Sequence, residues 1–87
     1  MKYQIKFRTS AIREIKSLPP NLQQRVRSAI DSLESDPRPI GYKKLKGFAN
    51  LFRIRISEIR VLYSIEDKML IIEIIKIGYR REVYKKR

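Results

Sequence analysis

The chain has 87 residues, with 21 Lys plus Arg against 9 Asp plus Glu, and neither Cys nor His. That length holds one hydrophobic core and therefore one domain, residues 1–87. The missing cysteine excludes a disulfide scaffold and any thiolate metal site, and the missing histidine excludes His-based triads and an imidazole general base.

An apolar content of 43% is enough for a packed core. No apolar run approaches the roughly 18 residues of a membrane span. The N-terminus, Met1-Lys2-Tyr3-Gln4, alternates and has no signal-peptide core. A cytoplasmic protein without membrane attachment is the expectation. The formal net charge is +12. Much of it must lie within or near a Debye length of about 8 Å, which favours a polyanionic partner. The excess is uneven. Residues 1–40 carry eight basic and four acidic side chains, and residues 41–87 carry thirteen and five.

Tyr3, Ile5 and Phe7 alternate with polar residues, the pattern of a half-buried strand. Thr9 or Ser10 is then expected to cap a helix bearing Ile12, Ile15 and Leu18. Pro19-Pro20 stops it, and Pro20 suits the first position of a second helix. Leu22, Val26, Ala29, Ile30 and Leu33 make the apolar stripe of that helix, which Asp36-Pro37 ends. A basic loop follows with Lys43, Lys44 and Lys46, and a strand edge near Leu45 is conceivable. Three strands complete the chain. Phe52, Ile54 and Ile56 alternate with Arg53 and Arg55, and Ser57-Glu58 turns the chain. Ile59, Val61, Tyr63 and Ile65 form the next strand, and Glu66-Asp67-Lys68 turns again. Residues 69–77 are apolar on both faces, as in a central strand, with Gly78 expected to break it. The fold class is α+β. The order is β-α-α-β-β-β, with a helical hairpin on one face of a small, mainly antiparallel sheet.

The strand arginines then fall together. Arg53 and Arg55 share a face, Arg60 leaves the core on the neighbouring strand, and Lys76 shares parity with Arg80. Such a cluster repels itself unless an anion occupies it, and the planar guanidinium fork suits phosphate. The competing reading, solvated arginines guarding a strand edge, fits one of them better than all four. Tyr84, in the basic tail with Arg81, Lys85 and Lys86, either stacks on a base or ties the tail to the core. Lys43, Lys44 and Lys46 are generic phosphate contacts or a solvated loop. Glu73, alone in an apolar strand, is expected to pair with a basic neighbour rather than catalyse.

Several segments together resemble the RelE/ParE superfamily of type II toxins, and within it the RelE-like mRNA interferases. They are Tyr3-Gln4-Ile5-Lys6-Phe7, Leu33-Glu34-Ser35-Asp36-Pro37, Lys43-Lys44-Leu45-Lys46-Gly47, Phe52-Arg53-Ile54-Arg55-Ile56, Ile59-Arg60-Val61-Leu62-Tyr63 and Ile77-Gly78-Tyr79-Arg80-Arg81-Glu82-Val83-Tyr84. The resemblance implies a toxin that cleaves messenger RNA in the ribosomal A site without metal or other cofactor. It implies catalytic roles for Arg53, Arg55, Arg60, Arg80 and Tyr84. Arg60 would stabilise phosphate charge, Arg80 would assist the leaving group and Tyr84 would stack on the base. Lys43, Lys44, Lys46, Lys76, Arg81, Lys85 and Lys86 would contact RNA. It further implies an antitoxin protein that wraps a toxin otherwise monomeric. Arg53 and Arg55 stand where some relatives have lysine, and Tyr79 where many have histidine. Alternatives within the same resemblance are a ParE-like inhibitor of DNA gyrase and a catalytically weak RNA-binding relative.

Overall fold

The computed structural model describes residues 2–79. The elements run β1 (Gln4–Phe7), α1 (Thr9–Lys16), α2 (Pro20–Ser32), β2 (Lys43–Lys44), β3 (Phe52–Ile56), β4 (Ile59–Glu66) and β5 (Ile71–Tyr79). One five-stranded sheet has the order β1-β5-β4-β3-β2. β1 pairs parallel to β5, and every other pair is antiparallel. The α+β architecture read from the sequence is the one found, with β2 as a two-residue edge strand just before Leu45.

Period-two alternation sorts the sheet residues. Phe52, Ile54, Ile56, Ile59, Val61, Tyr63, Ile65, Ile72, Ile74 and Ile77 form one core with Ala11, Ile15, Val26, Ile30 and Leu33 of the helical segment. Fully burying each such aliphatic side chain is worth about 1.5–3 kcal/mol, which fixes the helices on this face. Pro20 opens α2 at its first turn, where a missing N–H costs nothing. The Tyr63 hydroxyl donates to the Pro37 carbonyl oxygen at 2.7 Å inside the core. Arg38 packs over the Phe52 ring, 5.6 Å from its centroid, and its guanidinium grips Asp67 at 2.9 Å. These contacts fasten the loop after α2 to the sheet.

Local details depart from the sequence reading. The N-cap of α1 is Arg8 in extended backbone, and no side-chain cap is made, so Thr9 and Ser10 already lie inside the helix. Leu33 is the C-cap of α2 rather than part of its stripe, yet it is fully buried. β5 starts at Ile71, because Leu70 takes a positive φ of 55° in the preceding turn. Gly78 does not break β5. It is a ladder residue paired with Arg60, and the strand continues to Tyr79. Ser57 (φ 57°) opens the two-residue β3–β4 hairpin as expected, since a positive φ at the first turn position matches strand twist.

Candidate functional site

The face of the sheet opposite the helices carries the arginines. Arg55 lies directly across from Arg60, and Arg53 lies across from Leu62 on one side and Lys43 on the other. Residues directly opposite in an antiparallel pair share a face, with Cβ atoms about 4.5–5.5 Å apart. Four cationic side chains therefore start from neighbouring positions on the helix-free face. Lys44 pairs with Phe52, so alternation sends it to the other face. Lys46 is exposed in the turn after β2.

Arg60 is the unusual member. It is only 6% exposed, and its Nε is buried with no hydrogen-bond partner among the described residues. Buried guanidinium groups are ordinarily paired, since a buried unsatisfied donor costs about 1–3 kcal/mol. Arg55 is exposed, and its Nε donates weakly to the Ser57 carbonyl oxygen at 3.4 Å. The three salt bridges among the described residues are Arg8–Glu73, Arg38–Asp67 and Lys76–Glu14, and none of them engages Arg55 or Arg60. Glu14, Glu73 and Asp67 are thus engaged elsewhere, and Arg55 and Arg60 face one another without an ion pair. Glu73 pairs with Arg8 at 3.3 Å, as anticipated.

Lys76 sits opposite Leu62 in register, but its ammonium is held by Glu14 of α1 at 3.0 Å. It is part of the sheet edge rather than a cation free to join the arginines. Arg80, Arg81, Tyr84, Lys85 and Lys86 lie outside the described residues. Three residues at or near the site were missed in the sequence reading. Gly78 removes any side chain opposite Arg60, Glu14 braces the strand that carries Gly78, and Arg38 fastens the adjacent loop. Only Gly78 left a sequence signal, as a glycine inside an otherwise strand-like run.

Two environments are shifted. The Asp67 carboxyl is held below the usual carboxylate range by hydrogen bonds from Arg38 and Tyr3. The Tyr63 hydroxyl is pushed up by burial. Both are scaffold groups beneath the loop after α2. Among the described residues no group of three or more Asp or Glu converges as a metal site, and no helix is long and apolar enough to cross a membrane.

The molecule is a small two-layer α+β protein with an arginine cluster on the helix-free sheet face. Comparison with known families makes this specific. Residues 5–84 match the family described as the ParE toxin of type II toxin-antitoxin system, parDE. The chain belongs to this RelE/ParE toxin family. It is 30% identical to toxin RelG of Mycobacterium tuberculosis, over 99% of this chain and all of that protein. The archaeal RelE–RelB complex from Pyrococcus horikoshii contains a chain 32% identical to this one, with a TM-score of 0.81 over 92% of this chain and 97% of that one. The toxin-antitoxin complex RelBE2 of Mycobacterium tuberculosis contains another, 28% identical, with a TM-score of 0.80 over 92% of this chain and 100% of that one.

Proposed function

We propose that this type II toxin arrests translation by cleaving messenger RNA in the ribosomal A site. The observation that carries the reading is Arg60, whose buried Nε has no hydrogen-bond partner among the described residues and which faces Arg55 across the β3–β4 pair. A site built this way is short of negative charge, and an RNA phosphate supplies it.

In the proposed reaction a ribose 2′-hydroxyl attacks the adjacent phosphorus. The P–O5′ bond breaks, leaving a 2′,3′-cyclic phosphate and a free 5′-hydroxyl. The proton lost from the 2′-oxygen is matched by one gained at the 5′-oxygen. Arginine, with a pKa above about 12, is a poor proton acceptor. Arg53, Arg55 and Arg60 therefore act by stabilising charge on the phosphorane and by holding the 2′-oxygen in line. Arg80 is assigned to the leaving oxygen and Tyr84 to base stacking. Lys43 extends the same field along β2, and Lys46, Arg81, Lys85 and Lys86 add backbone contacts. A cognate antitoxin, of the kind seated on the RelE chains of the complexes above, would silence the toxin by covering this face.

The test is to map message ends on translating ribosomes exposed to the wild-type chain and to Arg60→Met and Arg80→Ala. Cleavage inside A-site codons by wild type, lost in both variants, is the expected result. Intact message together with inhibited DNA supercoiling would replace this reading with gyrase inhibition. Intact message with retained ribosome binding would leave a silent RNA-binding relative.

A further inference from the structure

β1 covers the outer edge of β5 only as far as the Phe7↔Ile74 pair, whereas β5 continues to Tyr79. Past Ile74 that edge has no strand beside it among the described residues. Backbone groups that point away from β4 there need another partner. Glu14 of α1 provides one. Its Oε1 accepts the Ile77 N–H at 2.8 Å, and its Oε2 accepts the Lys76 ammonium at 3.0 Å. One carboxylate grips two consecutive residues.

Those residues follow directly after a bulge. Leu62 pairs with Lys76 but Tyr63 pairs with Ile74, so Ile75 is an extra residue in β5. The bulge is needed because Ile74 and Ile77 both belong to the core, and a three-residue interval is out of step with strand alternation. Its result is that Gly78 lies directly opposite Arg60. Moving the extra residue along the strand beyond Arg60 would bring Ile77 to that position and set a bulky side chain beside the buried guanidinium.

We infer that Glu14 is a positioning residue for the arginine site. Its carboxylate stands in for a missing strand, fixes the register of β5 beyond the bulge, and keeps the side-chain-free position of Gly78 next to Arg60. The activity arm of this inference rests on the RNA-cleavage reading, whereas the register arm does not.

The test combines amide exchange, cross-strand proton contacts and message cleavage in the full chain. In Glu14→Ala the Ile77 amide, measured relative to the core amides of β4, is expected to exchange about ten- to a hundredfold faster. The Val61–Ile77 Hα contact weakens, and single-turnover cleavage falls about tenfold or more while ribosome affinity changes less than about threefold. Glu14→Gln keeps an acceptor oxygen for the Ile77 N–H and is expected to restore protection and cleavage to within about threefold of wild type. Val26→Ala, a core truncation in α2, controls for lost stability and is expected to leave the relative exchange of Ile77 unchanged. Unchanged Ile77 exchange in Glu14→Ala overturns the inference, as does raised exchange with cleavage retained, or a Glu14→Gln variant as damaged as Glu14→Ala. If the wild-type chain cuts no message, the cleavage reading falls, and exchange with the Val61–Ile77 contact still decides the register role.

Discussion

Arg60→Met is the most informative single substitution. Methionine keeps an unbranched stem of similar reach in a 6%-exposed position, but removes the guanidinium with its unpartnered Nε. Relief of one buried unsatisfied donor is worth about 1–3 kcal/mol. Relief of like-charge opposition to Arg55 adds to it. For a domain of this size each kcal/mol moves Tm by about 4–8 °C. Arg60→Met should therefore melt about 5–20 °C above wild type while losing message cleavage. Sulfate offers a second arm. An anion that binds the native site adds about 1.4 kcal/mol at ten times its Kd, so sulfate should raise the wild-type Tm and leave that of Arg60→Met unmoved. Paired thermal melts with and without sulfate make the measurement. A variant that melts below wild type, or that responds to sulfate as wild type does, would refute the reasoning, because Arg60 would then already be satisfied in the native state.

Arg55→Glu places a carboxylate directly opposite Arg60. It should raise Tm and abolish cleavage, and a variant that still cuts message would remove Arg55 from the site. Tyr63→Phe leaves the Pro37 carbonyl oxygen without its donor in the core, so chemical denaturation should show a loss of about 1–2 kcal/mol. Asp67 has a depressed carboxyl pKa in the folded state, caused by Arg38 and then Tyr3. Its contribution is therefore complete above the ordinary carboxylate pKa and is lost as pH falls through the lower, folded value. Asp67→Asn should flatten the acid limb of a Tm-versus-pH curve, and an unchanged limb would show that the Arg38–Asp67–Tyr3 contacts do not persist in solution. Ribosome binding should weaken steeply with added salt for wild type and less steeply for Arg55→Glu, since fewer phosphate contacts release fewer counterions.

Alternation along residues 52–56 was enough to put Arg53 and Arg55 on one side and Phe52, Ile54 and Ile56 on the other, because strand side chains obey a strict period of two. The same rule sent Arg60 away from the core correctly, but it could not disclose that Arg60 is buried, since burial depends on what neighbouring strands contribute. Parity held at Lys76, which lies opposite Leu62, but it could not disclose that Glu14 holds the Lys76 ammonium or that Gly78 stays in the ladder. The extra residue at Ile75 and the carboxylate of Glu14 both act on β5, and Glu14 lies more than sixty positions away in sequence. Nothing local to residues 71–79 announces that contact.

The charge of +12 and the absence of histidine can be read from composition alone. So can the helix–strand order, because apolar period and proline placement are local properties. Which cations meet was a tertiary decision. Pairing register set Arg55 against Arg60, ion pairs with Glu14, Glu73 and Asp67 withdrew Lys76, Arg8 and Arg38 into the scaffold, and Gly78 left its place beside Arg60 bare. An excess of basic residues only attracts polyanions. A buried arginine whose cross-strand neighbour is another arginine, with no ion pair to either among the described residues, concentrates positive charge at one place.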